Sequence, residues 1–124
     1  MRGPKKIFFD TRMVRVTESL MFLESLYTKF GAPQDARVGV RMNHRGLAGR
    51  ELSAASSSRQ ISPRSTLENE VQSEISTVLG TMNESRVEDV RKLLSPMFRL
   101  FDFQEFHERV YEDIVRKFEQ GIVT

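Results

Sequence analysis

The spacing of apolar positions changes repeatedly along this chain, and each change marks an element. Ile7-Phe8-Phe9 is a short apolar run that predicts a strand. From Thr11 onward Met13, Val16, Leu20, Leu23, Tyr27 and Phe30 recur three and four residues apart, with Phe22 and Leu26 broadening the stripe. That period predicts an amphipathic helix with a wide core face. Asp10 or Thr11 can cap its start by accepting from exposed N–H groups. Gly31 supplies the left-handed residue after its end, and Pro33 bars continuation. Next, Val38, Val40 and Met42 alternate with Arg37, Gly39, Arg41 and Asn43. Side chains alternate faces along a strand, so the first set is expected to lie on the helix and the second to face water. A turn at Asn43-His44-Arg45-Gly46 and a return through Leu47 and Leu52 would make residues 37–52 an antiparallel ribbon. In it, Gly46 would close the turn and Gly49 would permit a bulge.

Residues 53–58, SAASSS, together with Ser62-Pro63-Arg64-Ser65, are small and polar and predict a flexible connection over 53–65. Leu67 to Leu79 carries two periods at once. Leu67, Val71, Ile75 and Val78 fit a helix begun by a Ser65/Glu68 capping box. Glu68, Glu70, Gln72 and Glu74, alternating with Leu67, Asn69, Val71, Ser73 and Ile75, fit a strand, and the β-branched centre favours that reading. After Gly80, Val87, Val90, Leu93, Leu94, Met97, Phe98 and Phe101 line one helical face, with Asn83 or Ser85 as cap and Pro96 expected to kink it. Asp102-Phe103-Gln104-Glu105 reads as a second capping box opening a last helix. That helix would carry Phe103, Phe106, Val110, Ile114 and Phe118 inward and end at Gly121. The expectation is a single α+β domain over 1–124. It would hold a small antiparallel sheet of about three or four strands, one N-terminal helix and a C-terminal helix pair.

Composition sharpens this. At 124 residues the chain can bury a core without staples. Cysteine is absent, which removes disulfides, thiolate zinc and cysteine nucleophiles and fits a reducing compartment. Ile7-Phe8-Phe9 is too short for a signal peptide, and no apolar run approaches a membrane span, so a cytoplasmic protein without a membrane partner is expected. The net charge of +2 conceals a split. Residues 1–64 hold 12 Lys/Arg against 5 Asp/Glu (+7), and residues 65–124 hold 7 against 12 (−5). A basic half suits an anionic partner such as nucleic acid. Alternatively the halves answer each other, within a monomer or across a dimer.

Chemistry is sparse. The two histidines, His44 and His107, fall in different elements and make no metal-ligand pattern, so each reads as a surface residue. No nucleophile elbow and no glycine-rich phosphate loop is present. Glu88-Asp89 and Glu112-Asp113 are adjacent on helices and face apart. The sequence therefore predicts no catalytic residue, metal or cofactor, and not an enzyme. The remaining candidate is the ribbon, where Arg37, Arg41, His44, Arg45 and Arg50 would form a projecting basic hairpin suited to phosphate oxygens. No exposed aromatic is interleaved with them, so single-strand stacking is unsupported. An ordinary solvated sheet face explains the same residues.

The segments SLMFLESLY and VGVRMNHRGLAGREL resemble the region that follows the Schlafen/AlbA-like DNA-binding domain in many prokaryotic proteins. There an aromatic-bearing helix precedes a strand and a His-x-Gly-Leu-x-Gly-Arg-x-Leu hairpin, read here from His44 to Leu52. The tail, MFRLFDF at Met97–Phe103 and IVRKFEQG at Ile114–Gly121, is similar as well. The resemblance implies an accessory, non-enzymatic domain of a DNA- or defence-associated regulator, and supports a strand at 67–79. The DNA-binding module itself is not in these residues. The reading is thus a regulatory or interaction domain that self-associates or binds a partner protein. Direct nucleic-acid binding through 37–52 is a second reading, and a small-molecule sensor with a pocket between first helix and sheet is a third.

Overall fold

The computed structural model describes residues 5–59, 61–62, 64–102 and 106–121. The chain is α+β, with strands β1 (Lys6–Phe8), β2 (Arg37–His44), β3 (Glu51–Ser53), β4 (Arg64–Ser65) and β5 (Val71–Val78). Its helices are α1 (Phe9–Lys29), α2 (Met82–Leu100) and α3 (Glu108–Glu119). An N-terminal helix followed by a C-terminal helix pair is the expected arrangement.

The strands divide into two sheets. β1 lies parallel to β3, and β3 antiparallel to β4, while β2 pairs antiparallel with β5 alone. The expected hairpin over 37–52 therefore does not form. The strand at 71–78 takes the place beside β2, from Arg37 opposite Val78 to His44 opposite Val71. Residues 45–50 instead lead the chain away into β3 beside β1, where Glu51 N donates to Lys5 O at 2.9 Å. The physical reason is edge matching. Eight residues of β5 satisfy eight of β2, whereas the Leu47–Leu52 return offers only a short extended piece.

α1 begins at Phe9, two or three residues earlier than a cap at Asp10 or Thr11 would place it, and no side chain caps it. The Asp10 carboxylate is used elsewhere. It is buried and accepts from Ala55 N at 2.8 Å and Ser56 N at 2.9 Å, so it holds the serine-rich segment against the helix start. The helix ends as predicted: Gly31 takes φ +78°, its N–H donates to Thr28 O, and Ala32 N donates to Tyr27 O. Those two bonds satisfy carbonyls that the last turn leaves open.

The three helices pack against one another. Phe106 stacks on Phe9 with ring centroids 4.2 Å apart and meets Phe98 edge-on at 4.9 Å, joining the start of α1, the end of α2 and the approach to α3. At the opposite end Arg86 of α2 donates to Glu119 of α3 at 3.1 Å and to Glu24 of α1. Hence α1 and α3 run side by side and α2 runs against them. α2 also covers β5, so it is α2 rather than α1 that closes the inner face of the ribbon. α2 continues through Pro96 to Leu100, and Pro96 withdraws the donor that Lys92 O would otherwise receive. α3 starts at Glu108 rather than in the Asp102–Glu105 box, with His107 Nδ1 accepting from Arg109 N at 3.1 Å. Phe103 lies outside the described residues. Tyr111, Ile114 and Val115 are the buried residues of α3, and Phe118 is only half-buried.

Candidate interaction surfaces

The ribbon arginines were expected to form one basic face. Arg37, Arg41 and Arg45 are indeed exposed. Yet the β2–β5 register sets Arg41 directly opposite Glu74, and Arg41 Nε lies 3.2 Å from Glu74 Oε2. Arg45 Nε lies 3.3 Å from Glu70 Oε2. The acidic strand thus answers the basic one across a single ladder. Such exposed pairs add little stability, but they remove the unipolar field a polyanion would need.

His44 corrects a sequence expectation. It is 4% exposed rather than at a projecting tip. Its Nε2 sits 3.0 Å from Leu93 O and 3.0 Å from Ser73 Oγ. A carbonyl only accepts, so Nε2 carries the proton and the neutral ring ties β2 to β5 and α2. Burial pushes the imidazole below its ordinary range, the bond to Leu93 pulls it up, and the Arg12 charge lowers it further. In this fold His44 is a strut inside the domain, not a surface contact. Arg50 is part-buried and lies apart from the ribbon, just ahead of β3.

Two shallow clefts flank α3. One, of about 560 Å³, is lined by Glu88, Arg91, Phe106, His107 and Glu108. The other, of about 370 Å³, lies between Phe9, Ile61, Val110 and the Arg59–Asp113 pair. Hydrogen bonds from Arg59 first and Lys117 second hold the Asp113 carboxyl below the usual carboxylate range. Among the described residues no three His, Asp or Glu side chains converge as metal ligands, and no helix is long and apolar enough to cross a membrane.

The surface that sequence periodicity missed is on α1. Phe22, Tyr27 and Phe30 were assigned to the core, but they are 62%, 40% and 80% exposed. Full burial on this helix ends at Leu20, and Leu23 beyond it is only partly buried against the core. α3 is 12 residues long against 21 for α1, and its last residue, Glu119, stands beside Glu24 through Arg86. Beyond that point α1 extends past its covering helix. Phe22, which lies before that point on the exposed side of α1, Leu26 and Phe30 are four apart and form a continuous ridge. The wheel held a partial signal, since Phe22 projects about 160° away from Leu20 at 100° per residue. No family model, curated protein or solved structure matches this chain.

Proposed function

We propose that this chain is a non-catalytic interaction domain that pairs with a second copy of itself through the C-terminal half of α1. The observation that carries the reading is the Phe22–Leu26–Phe30 ridge, whose two phenylalanines are among the largest exposed apolar side chains. Burying such a side chain stabilises by about 1.5–3 kcal/mol, so leaving both in water is costly. The ridge is also symmetric about Leu26. In an antiparallel arrangement Phe22 meets Phe30 of the second copy and Leu26 meets its own equivalent, which is the condition for a two-fold interface. Ridges of residues four apart interdigitate in the commonest helix crossing. Ser25 and Lys29 flank the ridge as a polar rim. The resemblance of residues 19–52 to the region after an AlbA-like module implies an accessory part of a DNA- or defence-associated regulator, a role that self-association would fit.

Light scattering at tens of micromolar is expected to give a dimer mass. The Phe22→Ser/Phe30→Ser double variant should be monomeric with an unchanged far-UV spectrum. A monomeric wild type across that range would end the reading. Nucleic-acid binding through the ribbon is the weaker alternative, because Glu70 and Glu74 pair with Arg45 and Arg41 and His44 is buried. Duplex DNA affinity should be slight at low salt. A log–log salt slope corresponding to several phosphate contacts, at about one unit each, would reinstate it.

A further inference from the structure

The two long strands leave one edge of their ribbon open. Leu79 N donates to Ala36 O at 2.9 Å, which continues the β2–β5 register by one step and fixes which pairs exchange backbone hydrogen bonds. In an antiparallel ladder, bonded and non-bonded pairs alternate. The bonded pairs are therefore Val38–Thr77, Val40–Ile75, Met42–Ser73 and His44–Val71. Arg37, Gly39, Arg41 and Asn43 fall at the non-bonded positions, so their N–H and C=O groups point away from β5. Those groups meet no other backbone partner among the described residues. Leu47 N donates to Asn69 O and Gly49 N to Thr66 O, so the ladder leads on into β3–β4. There β1 closes the outer side of β3, whereas among the described residues no strand closes that side of β2.

Proteins blunt such an edge with proline, a bulge, a cover or charge. β2 runs eight residues in unbroken register without proline, and only charge is present. Arg37 and Arg41 rise on the outer face four residues apart with Gly39 between them. All three are exposed, and a Cβ on Gly39 would meet nothing within 4 Å. On the opposite face Val38 and Val40 are buried and Met42 is partly buried. An added strand would set alternate side chains beside two guanidinium groups and the others on the side of the apolar row. β5 is a strand of that kind on the other edge. It places Glu74 across from Arg41 at 3.2 Å and turns Ser73 and Ile75 to the apolar side. Glu70, four residues before Glu74, lies 3.3 Å from Arg45, four residues after Arg41. A second copy of β2 in the open place would crowd four cations onto one face, which like-charge repulsion opposes.

We propose that the open edge of β2 binds an extended segment of a partner protein in which acidic residues alternate with apolar or small ones, added as an antiparallel strand. Acids four apart in that segment stand opposite Arg37 and Arg41. Main-chain bonds to residues 37, 39, 41 and 43 supply the affinity, and the two arginines choose the sequence. The edge is separate from the α1 ridge, so a monomeric wild type would leave it standing, and failure of peptide binding would leave the dimer standing.

The probe is a synthetic peptide with the sequence of residues 68–77, in which Glu70 and Glu74 have the required spacing. Added to the full chain, it should slow amide exchange several-fold at Gly39, Arg41 and Asn43. Exchange at Val38, Val40 and Met42, whose N–H groups already bond to β5, should change far less. The same peptide carrying Glu70→Lys and Glu74→Lys should bind about tenfold more weakly, because two attractive cross-strand pairs become repulsive. In the protein, Gly39→Pro deletes one outward donor at an edge position that can hold proline, and should abolish binding. Arg37→Glu keeps every main-chain group, should weaken binding several-fold, and covers any folding defect of the proline variant. No protection at millimolar peptide, or equal binding by the lysine peptide, would overturn the proposal. So would faster exchange within β5, the mark of strand replacement, or protection of the same amides by raised protein concentration alone, the mark of a second copy.

Discussion

At the scale of single residues, two buried polar side chains govern how this domain responds to its conditions. His44 is neutral inside the fold, and burial holds its ionisation below the usual value of about 6.5. An unfolded chain takes up that proton as pH falls through about 6.5 while the folded one resists. Stability is therefore full above that value and declines progressively below it. The urea midpoint should drop between pH 7.5 and pH 5, and His44→Gln, which keeps a donor for Leu93 O, should show a shallower decline. An identical decline in that variant would show that another group is responsible. Arg86 is 3% exposed and bridges Glu24 and Glu119 while its Nη1 has no acceptor among the described residues. Removing one partner of a buried ion pair costs about 3–5 kcal/mol. Both glutamates keep some access to water, so Arg86→Ala should cost about 3 kcal/mol in urea denaturation.

At the scale of elements, the joints between helices and strands rest on a few backbone contacts. Asp10 accepts from Ala55 N and Ser56 N, and thereby fastens the serine-rich segment that links β3 to the short turn at Ser57–Arg59. Asp10→Ala leaves the Thr11, Ala55 and Ser56 N–H groups without this acceptor, at about 1–3 kcal/mol. Amide exchange at residues 54–56 should rise several-fold more than exchange in α2. Gly80 is a second joint. Its N–H donates to Gln34 O at 2.8 Å, and an added Cβ would come within 2.9 Å of that oxygen. Gly80→Ala must push the loop after α1 away from the start of α2, costing about 1–3 kcal/mol by overpacking. Equal denaturation midpoints for the variant and wild type would contradict this. α2 has a polar link of the same kind, in which Ser85 Oγ lies 3.1 Å from Thr77 and donates to buried Asp89 at 2.9 Å.

At the scale of the whole molecule, the charge halves of +7 and −5 neutralise each other largely inside the chain. Arg41–Glu74, Arg45–Glu70, Arg59–Asp113 and Arg86–Glu24 all cross between them. The proposed dimer therefore rests on the apolar ridge and not on charge. Because α2 touches both other helices and β5, the domain should unfold in one step. Tyrosine fluorescence, from buried Tyr111 and part-exposed Tyr27, and far-UV ellipticity should report coincident transitions. The midpoint should rise with protein concentration in wild type but not in the Phe22→Ser/Phe30→Ser variant.

Local pattern alone settled much of this protein. A period near 3.6 marked α1, most of α2 and the body of α3, and alternation marked β2 and β5. Glycine at 31 and 121 marked helix ends, where φ is +78° and +79°. These features depend on interactions within a few residues, which the chain carries wherever it goes. What tertiary structure decided was each element's partner and its cover. Alternation says that β2 has an apolar side but not that β5, rather than residues 47–52, will complete its ladder. A helical stripe says which way α1 faces but not that α3 stops beside Glu24, leaving Phe30 in water. His44 looks like a surface residue until distant segments close over it. Exposure is a property of what lies across a gap, and no short window of sequence contains it.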